Sequence, residues 1–133
     1  MKTNFKPARG SRLLEKKARK AEEAQALADA YEIVNQRDGN ICRVTGRFLS
    51  AGAVMAEQRR EHHHLQPRSI APDRIADPKN IILVCAEAHQ LITGGFIEVE
   101  GKDATKPVFF HWNEKAMRGL VRPFLIRGKR SVA

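Results

Sequence analysis

The sequence predicts an α+β fold, and three observations carry that reading. Residues 11–36 are one run of strong helix formers with no proline or glycine. Beyond residue 37 the apolar runs shorten to strand length and are bounded by turn residues such as Arg37-Asp38-Gly39-Asn40. The most apolar of them, Asn80-Ile-Ile-Leu-Val-Cys85, leads directly into a segment of helical composition, residues 86–92.

Residues 1–10 hold lysine, proline, arginine and glycine with little to bury, so a flexible basic arm is expected there. Ser11 is the expected N-cap of the helix over 11–36. Its apolar positions (Leu14, Ala18, Ala21, Ala28, Tyr31) keep helical spacing but are thinly filled before Leu27. Leu27, Tyr31 and Val34 should therefore dock on a core. The first half, with Lys16, Lys17, Arg19 and Lys20, should reach into solvent or along a phosphate backbone. Residues 40–49 (NICRVTGRFL) suggest a strand or a tight knuckle around Cys42 and Gly46.

Residues 60–66 (REHHHLQ) read as a strand, and 67–79 as a loop, with three prolines and no periodicity. Residues 80–85 are the best candidate for a buried strand, and 86–92 fit two turns of helix stopped by Thr93-Gly94-Gly95. Residues 96–100 and 107–112, separated by GKDATK, form a predicted hairpin in which His111 and Trp112 should close the core. A short helix capped by Asn113 is expected over 113–122, followed by a basic tail. The expected organisation is thus an arm (1–10), a helix (11–36), one domain (37–123) and a tail (124–133).

A chain of 133 residues can bury one modest core, and 42% apolar residues suit a water-soluble protein. No apolar run approaches the roughly 18 residues that span a bilayer, so no membrane partner is expected. The N-terminus is basic without an apolar stretch behind it, so no secretory signal is read. The expected compartment is the cytoplasm, where Cys42 and Cys85 would stay reduced. A net charge of +9 points to a polyanionic partner, nucleic acid first among them.

The three adjacent histidines are the main chemical signal. In a strand, His62 and His64 share one face while Glu61, His63 and Leu65 share the other. A strand end or bulge would let His63 and His64 reach one site. The return strand and its helix would bring His89 beside His63. Neutral imidazole is both a ligand for borderline divalent ions and a general base near neutral pH. Two ligands and an adjacent base suffice for metal-assisted phosphodiester hydrolysis.

Glu61-His62-His63-His64-Leu65-Gln66-Pro67-Arg68-Ser69, followed by Asn80-Ile-Ile-Leu-Val-Cys-Ala-Glu-Ala-His89, resembles the HNH nuclease motif over roughly residues 37–100. The resemblance implies a ββα-metal core, here with a long N-terminal helix and a C-terminal hairpin plus short helix. It implies a hydrolase, a DNA endonuclease, with His64 as general base and a divalent ion on His63 and His89. Asn80 would hold the loop that positions the base. Arg68 is a candidate phosphate clamp, with Lys16, Lys17, Arg59 and Arg60 as further DNA contacts. His62 falls on a usually apolar position, which favours packing. In relatives such as the nuclease colicins a further ligand lies four residues past the helix histidine. That position is Thr93 here, so water or phosphate oxygens would complete the shell. Magnesium prefers oxygen ligands, whereas two imidazoles also suit manganese, nickel or zinc.

Many HNH proteins hold a structural zinc on two Cys-x-x-Cys knuckles. Here the second cysteine of each is replaced, by Thr45 and Ala88. Two thiolates cannot fill a tetrahedral site, so no structural zinc is expected and Cys42 and Cys85 should lie together as buried thiols. Three rivals stay open. One is a non-catalytic nucleic-acid-binding protein on the same scaffold, one a small zinc-dependent structural module, and one a hydrogen-bonded core cluster of histidines. The resemblance also leaves room for a homodimer and for phage or restriction-system protein partners.

Overall fold

A computed structural model describes residues 9–127. Most of the expected basic arm (residues 1–8) and the end of the basic tail (128–133) lie outside the described residues. The chain is a mixed α+β domain with a long N-terminal helix and two small antiparallel sheets. In order come α1 (Arg9–Arg37), β1 (Arg60–His64), β2 (Ile81–Cys85), α2 (Ala86–Thr93), β3 (Ile97–Glu100) and β4 (Phe109–Trp112). Two short 3-10 turns, Pro72–Arg74 and Pro78–Asn80, punctuate the loop between β1 and β2. No helix among the described residues is long and apolar enough to cross a membrane.

α1 begins at Arg9, so Ser11 sits inside its first turn and does not cap it. Gly10 adopts the helical conformation and the helix simply continues through it. The C-terminus is a Schellman close: Asn40 N–H donates to Asn35 O (3.1 Å) and Gly39 N–H to Gln36 O (3.2 Å). Gly39 (φ +64°) and Asn40 (φ +57°) take the left-handed conformation that this turn requires. Only the last third of the helix packs: Ala30 and Val34 are buried, and Leu27 and Tyr31 lie against the core. Residues 10–26 are exposed throughout.

β1 and β2 pair antiparallel, from Arg60 opposite Cys85 to His64 opposite Ile81. All five residues of β2 are buried, which explains its unbroken apolar run. α2 follows without a linker, and the Cys85 thiol caps it by accepting Ala88 N–H at 3.3 Å. Residues 42–47 form a knuckle in which Cys42 N–H donates to Arg47 O (2.9 Å) and Gly46 N–H to Cys42 O (2.8 Å). Gly46 has φ +76°, and a Cβ there would sit 2.5 Å from the Arg127 side chain. β3 and β4 pair antiparallel and place Ile97, Phe110 and Trp112 in the same core.

Two C-terminal expectations need correction. Residues 113–120 are not a helix. Met117 N–H donates to Asn113 O (2.9 Å) and Asn113 Oδ1 accepts Ala116 N–H (3.2 Å), but this turn does not continue, and Gly119 turns left-handed at φ +76°. His111 does not close the core. It stays 43% exposed and bonds Glu98 Oε2 at 2.5 Å, because neighbours on a strand face opposite ways and Trp112 takes the inward position. Trp112 packs on Phe124, ring centroids 5.3 Å apart, so the first residues of the basic tail belong to the core.

The Asp38 carboxylate, 3% exposed, joins these parts. It accepts Arg37 Nε (2.9 Å) and Nη2 (3.0 Å), Arg43 Nη1 (3.1 Å) and the Leu83 N–H (3.0 Å). Asp38→Ala would leave two arginines and a strand N–H without their acceptor. It should cost about 3 kcal/mol or more, read as a lower urea midpoint with unchanged m-value.

Candidate active site

The strand period divides β1 into two faces. Glu61 and His63 point toward α2, and His62 and His64 toward α1 and the loop. On the first face the rings of His63 and His89 meet edge to face, centroids 5.5 Å apart and planes at 71°. His89 Nδ1 lies 2.8 Å from Glu61 Oε1. A carboxylate only accepts, so Nδ1 carries the proton and Nε2 keeps a lone pair for another partner. Burial, with smaller contributions from His89 and His64, lowers the His63 pKa to about 4, so the ring is neutral at physiological pH.

On the second face His62 stacks flat on Tyr31, centroids 3.9 Å apart with planes 2° from parallel. Its Nε2–H donates to Asn35 Oδ1 at 2.7 Å. Burial first, then the Arg60 charge, brings its pKa to about 4. His62 is therefore a neutral packing residue that fastens β1 to α1. His64 donates from Nε2 to Ile75 O at 2.8 Å, which leaves Nδ1 as its basic nitrogen. The structure thus joins His63 to His89 and turns His64 to the other side of the strand, at its last position.

Asn80 is fully buried between these parts. Its Nδ2 donates to Gln66 O (2.9 Å) and Arg74 O (3.1 Å), its Oδ1 accepts Gln66 N–H (2.8 Å), and its carbonyl accepts Leu65 N–H (2.7 Å). One side chain thereby ties the start of the loop to its middle, one residue before the carbonyl that holds His64.

The remaining sequence-derived contacts scatter. Lys16 and Lys17 are exposed on the free half of α1. Arg68 is exposed and lines a groove of about 360 Å³ with Lys20, Leu27, Asp73 and Ile75. Arg59 Nη1 donates to Val54 O (3.4 Å) and its Nε lies 3.8 Å from Glu61 Oε2. Arg60 donates to Asn40 Oδ1 at 2.9 Å. The Arg60 guanidinium is thus engaged within the fold, whereas the Arg59 side chain stays 39% exposed. Thr93 is the exposed last residue of α2. Sequence reasoning missed Glu61 as the partner of His89, although its place two residues before His63 puts both on one face.

Among the described residues no three His, Cys, Asp or Glu side chains form a group able to enclose a metal ion. The residues that could contribute to holding one are the imidazoles of His63 and His89, the latter backed by a carboxylate. That set fits a borderline divalent ion whose other positions are taken by oxygen.

The histidine shifts give stability a sign. His62 and His63 titrate near 4 in the fold and near 6.5 when unfolded. Between those values the unfolded chain binds more protons, so stability is complete above about pH 6.5 and falls as pH drops toward 4. Urea midpoints measured at pH 7, 6 and 5 should decline in that order, and His62→Gln should flatten the decline. Comparison with known proteins adds no relative: no family model, curated protein or solved structure matches the chain.

Proposed function

We propose that the chain is a metal-dependent endonuclease of HNH type that hydrolyses DNA phosphodiester bonds. The observation that carries this reading is the His63–His89 pair with Glu61 behind it, on a hairpin followed directly by a helix. His63 and His89 would hold a divalent ion (magnesium, manganese, nickel or zinc), which would supply Lewis-acid stabilisation of charge on the leaving oxygen. Glu61 fixes the ring orientation of His89 through Nδ1–H. His63 stays neutral and keeps its lone pair available as pH falls below 7. His64 accepts a proton at Nδ1 from the attacking water, while Ile75 O holds the opposite edge of the ring. Asn80 fixes the loop that carries Ile75. Arg68, Lys16 and Lys17 are exposed cations available to the phosphate backbone.

A second reading, a non-catalytic nucleic-acid-binding protein on the same scaffold, has its own support. His64 is bonded through Nε2 to Ile75 O and lies beside Tyr31, and no third ligand joins the His63–His89 pair among the described residues.

Plasmid cleavage with magnesium, manganese and nickel separates the two. The wild type should cut with at least one of these metals. His64→Ala should abolish cutting while DNA affinity stays within about twofold, the expectation for a group that acts in the transition state. A His64→Ala variant that cuts at the wild-type rate removes His64 as the base. A wild type that binds DNA but never cuts leaves the second reading standing. Glu61→Gln should lower cleavage by about 10–100-fold, the usual effect of removing a carboxylate behind a metal-bound histidine.

The free half of α1 makes a separate prediction. Replacing Lys16, Lys17, Arg19 and Lys20 by Gln should lower the slope of log affinity against log salt by about 0.9 for each phosphate that these side chains neutralise. Fluorescence anisotropy on a labelled duplex, in chelator so that no cutting occurs, measures it.

A further inference from the structure

The buried thiol pair has no part in the proposed hydrolysis, yet its surroundings are organised. Cys42 and Cys85 are both free and 1% and 0% exposed. Cys42 Sγ accepts two backbone N–H groups, from Thr45 at 3.4 Å and from Cys85 at 3.3 Å. Cys85 Sγ accepts a third, from Ala88 at 3.3 Å. Three backbone donors thus converge on two adjacent buried sulfurs. The knuckle turn at 42–47 and the first turn of α2 fix these donors, so the sulfurs are held from both sides by rigid backbone.

We propose that Cys42 and Cys85 form a two-coordinate binding site for a soft monovalent d10 ion, copper(I) or its redox-inert analogue silver(I). Coordination number decides which ion fits. No third His, Cys, Asp or Glu joins the pair among the described residues, and Val44, Val84 and Ala88 belong to the same buried cluster. Water cannot reach the sulfurs to complete a shell. Zinc needs four ligands and would be left with two empty positions. A monovalent d10 ion is satisfied by two thiolates in a line, and soft sulfur donors select copper(I) over harder ions. Binding replaces the thiol protons by one ion, releases those protons to water and changes no oxidation state. The ion would bridge the 42–47 knuckle to the start of α2, two segments 43 residues apart in the chain.

The test uses the full chain, reduced and anaerobic, titrated with copper(I) against a chromophoric copper(I) chelator and, in parallel, with silver(I) and zinc. Each ion is added both to folded protein and during refolding, because the site is buried. The expected result is one copper(I) or silver(I) per chain that survives gel filtration, a two-sulfur shell by X-ray absorption, and a thermal midpoint raised by several degrees. Cys42→Ala/Cys85→Ala, a pair of small apolar replacements whose fold is checked by circular dichroism, should bind none at this site. Failure to bind by either route overturns the proposal. So does a double-alanine variant that keeps full stoichiometry, or preferential retention of zinc. The outcome is independent of whether the chain cuts DNA.

Discussion

The Asp38 carboxylate is the joint through which the rest of the structure is held. It follows the last residue of α1, receives the N–H of Leu83 in the central strand and is gripped by Arg37 and Arg43. Each arginine then reaches onward: Arg37 to Pro78 O and Ile81 O at 2.6 Å, and Arg43 to Ala104 O at 3.0 Å. One buried charge therefore connects the long helix, the knuckle, the loop before β2 and the turn between β3 and β4. A carboxylate removed from water is unfavourable unless every lone pair is matched. Here four donors match it, and they tie the end of α1 to the central strand.

The two helices give the histidine strand its two environments. With α1 on one side and α2 on the other, consecutive histidines meet different partners. His62 becomes a flat stacking surface for Tyr31, and His63 becomes one edge of an imidazole pair. Burial makes both neutral for the same physical reason, yet only His63 has its ring beside a second imidazole. His64, where the strand ends, is governed by the loop, and Asn80 governs the loop. Three identical side chains in a row thus do three different things.

The cysteines follow a similar logic. Each keeps the turn that a metal knuckle would need, with backbone N–H groups directed at sulfur, although its second cysteine is absent. The shared hydrogen bond between the thiols holds Cys42 below the usual thiol range against the effect of burial, and together with burial it holds Cys85 above that range. Because Cys85 also caps α2, the same sulfur contributes to placing the helix that carries His89.

The elements with strong local signals were legible in the sequence. The absence of proline and glycine over 11–36 marks α1, the apolar run marks β2, and the spacing of Glu61 and His63 marks one face of β1. Residues 113–120 escape a local reading because helix-forming composition does not reveal that a single turn ends there. His111 escapes it because strand phase is set by Trp112 docking on Phe124, a contact between residues distant in sequence. The sequence by itself determined which residue types were at hand and the periodicity that sorts them by face. Only the tertiary structure decided that Arg60 bonds Asn40, that Glu61 backs His89 and that Ile75 O holds His64. Those outcomes depend on partners brought together across many residues by burial and by the pairing of charges, and local spacing carries no record of them.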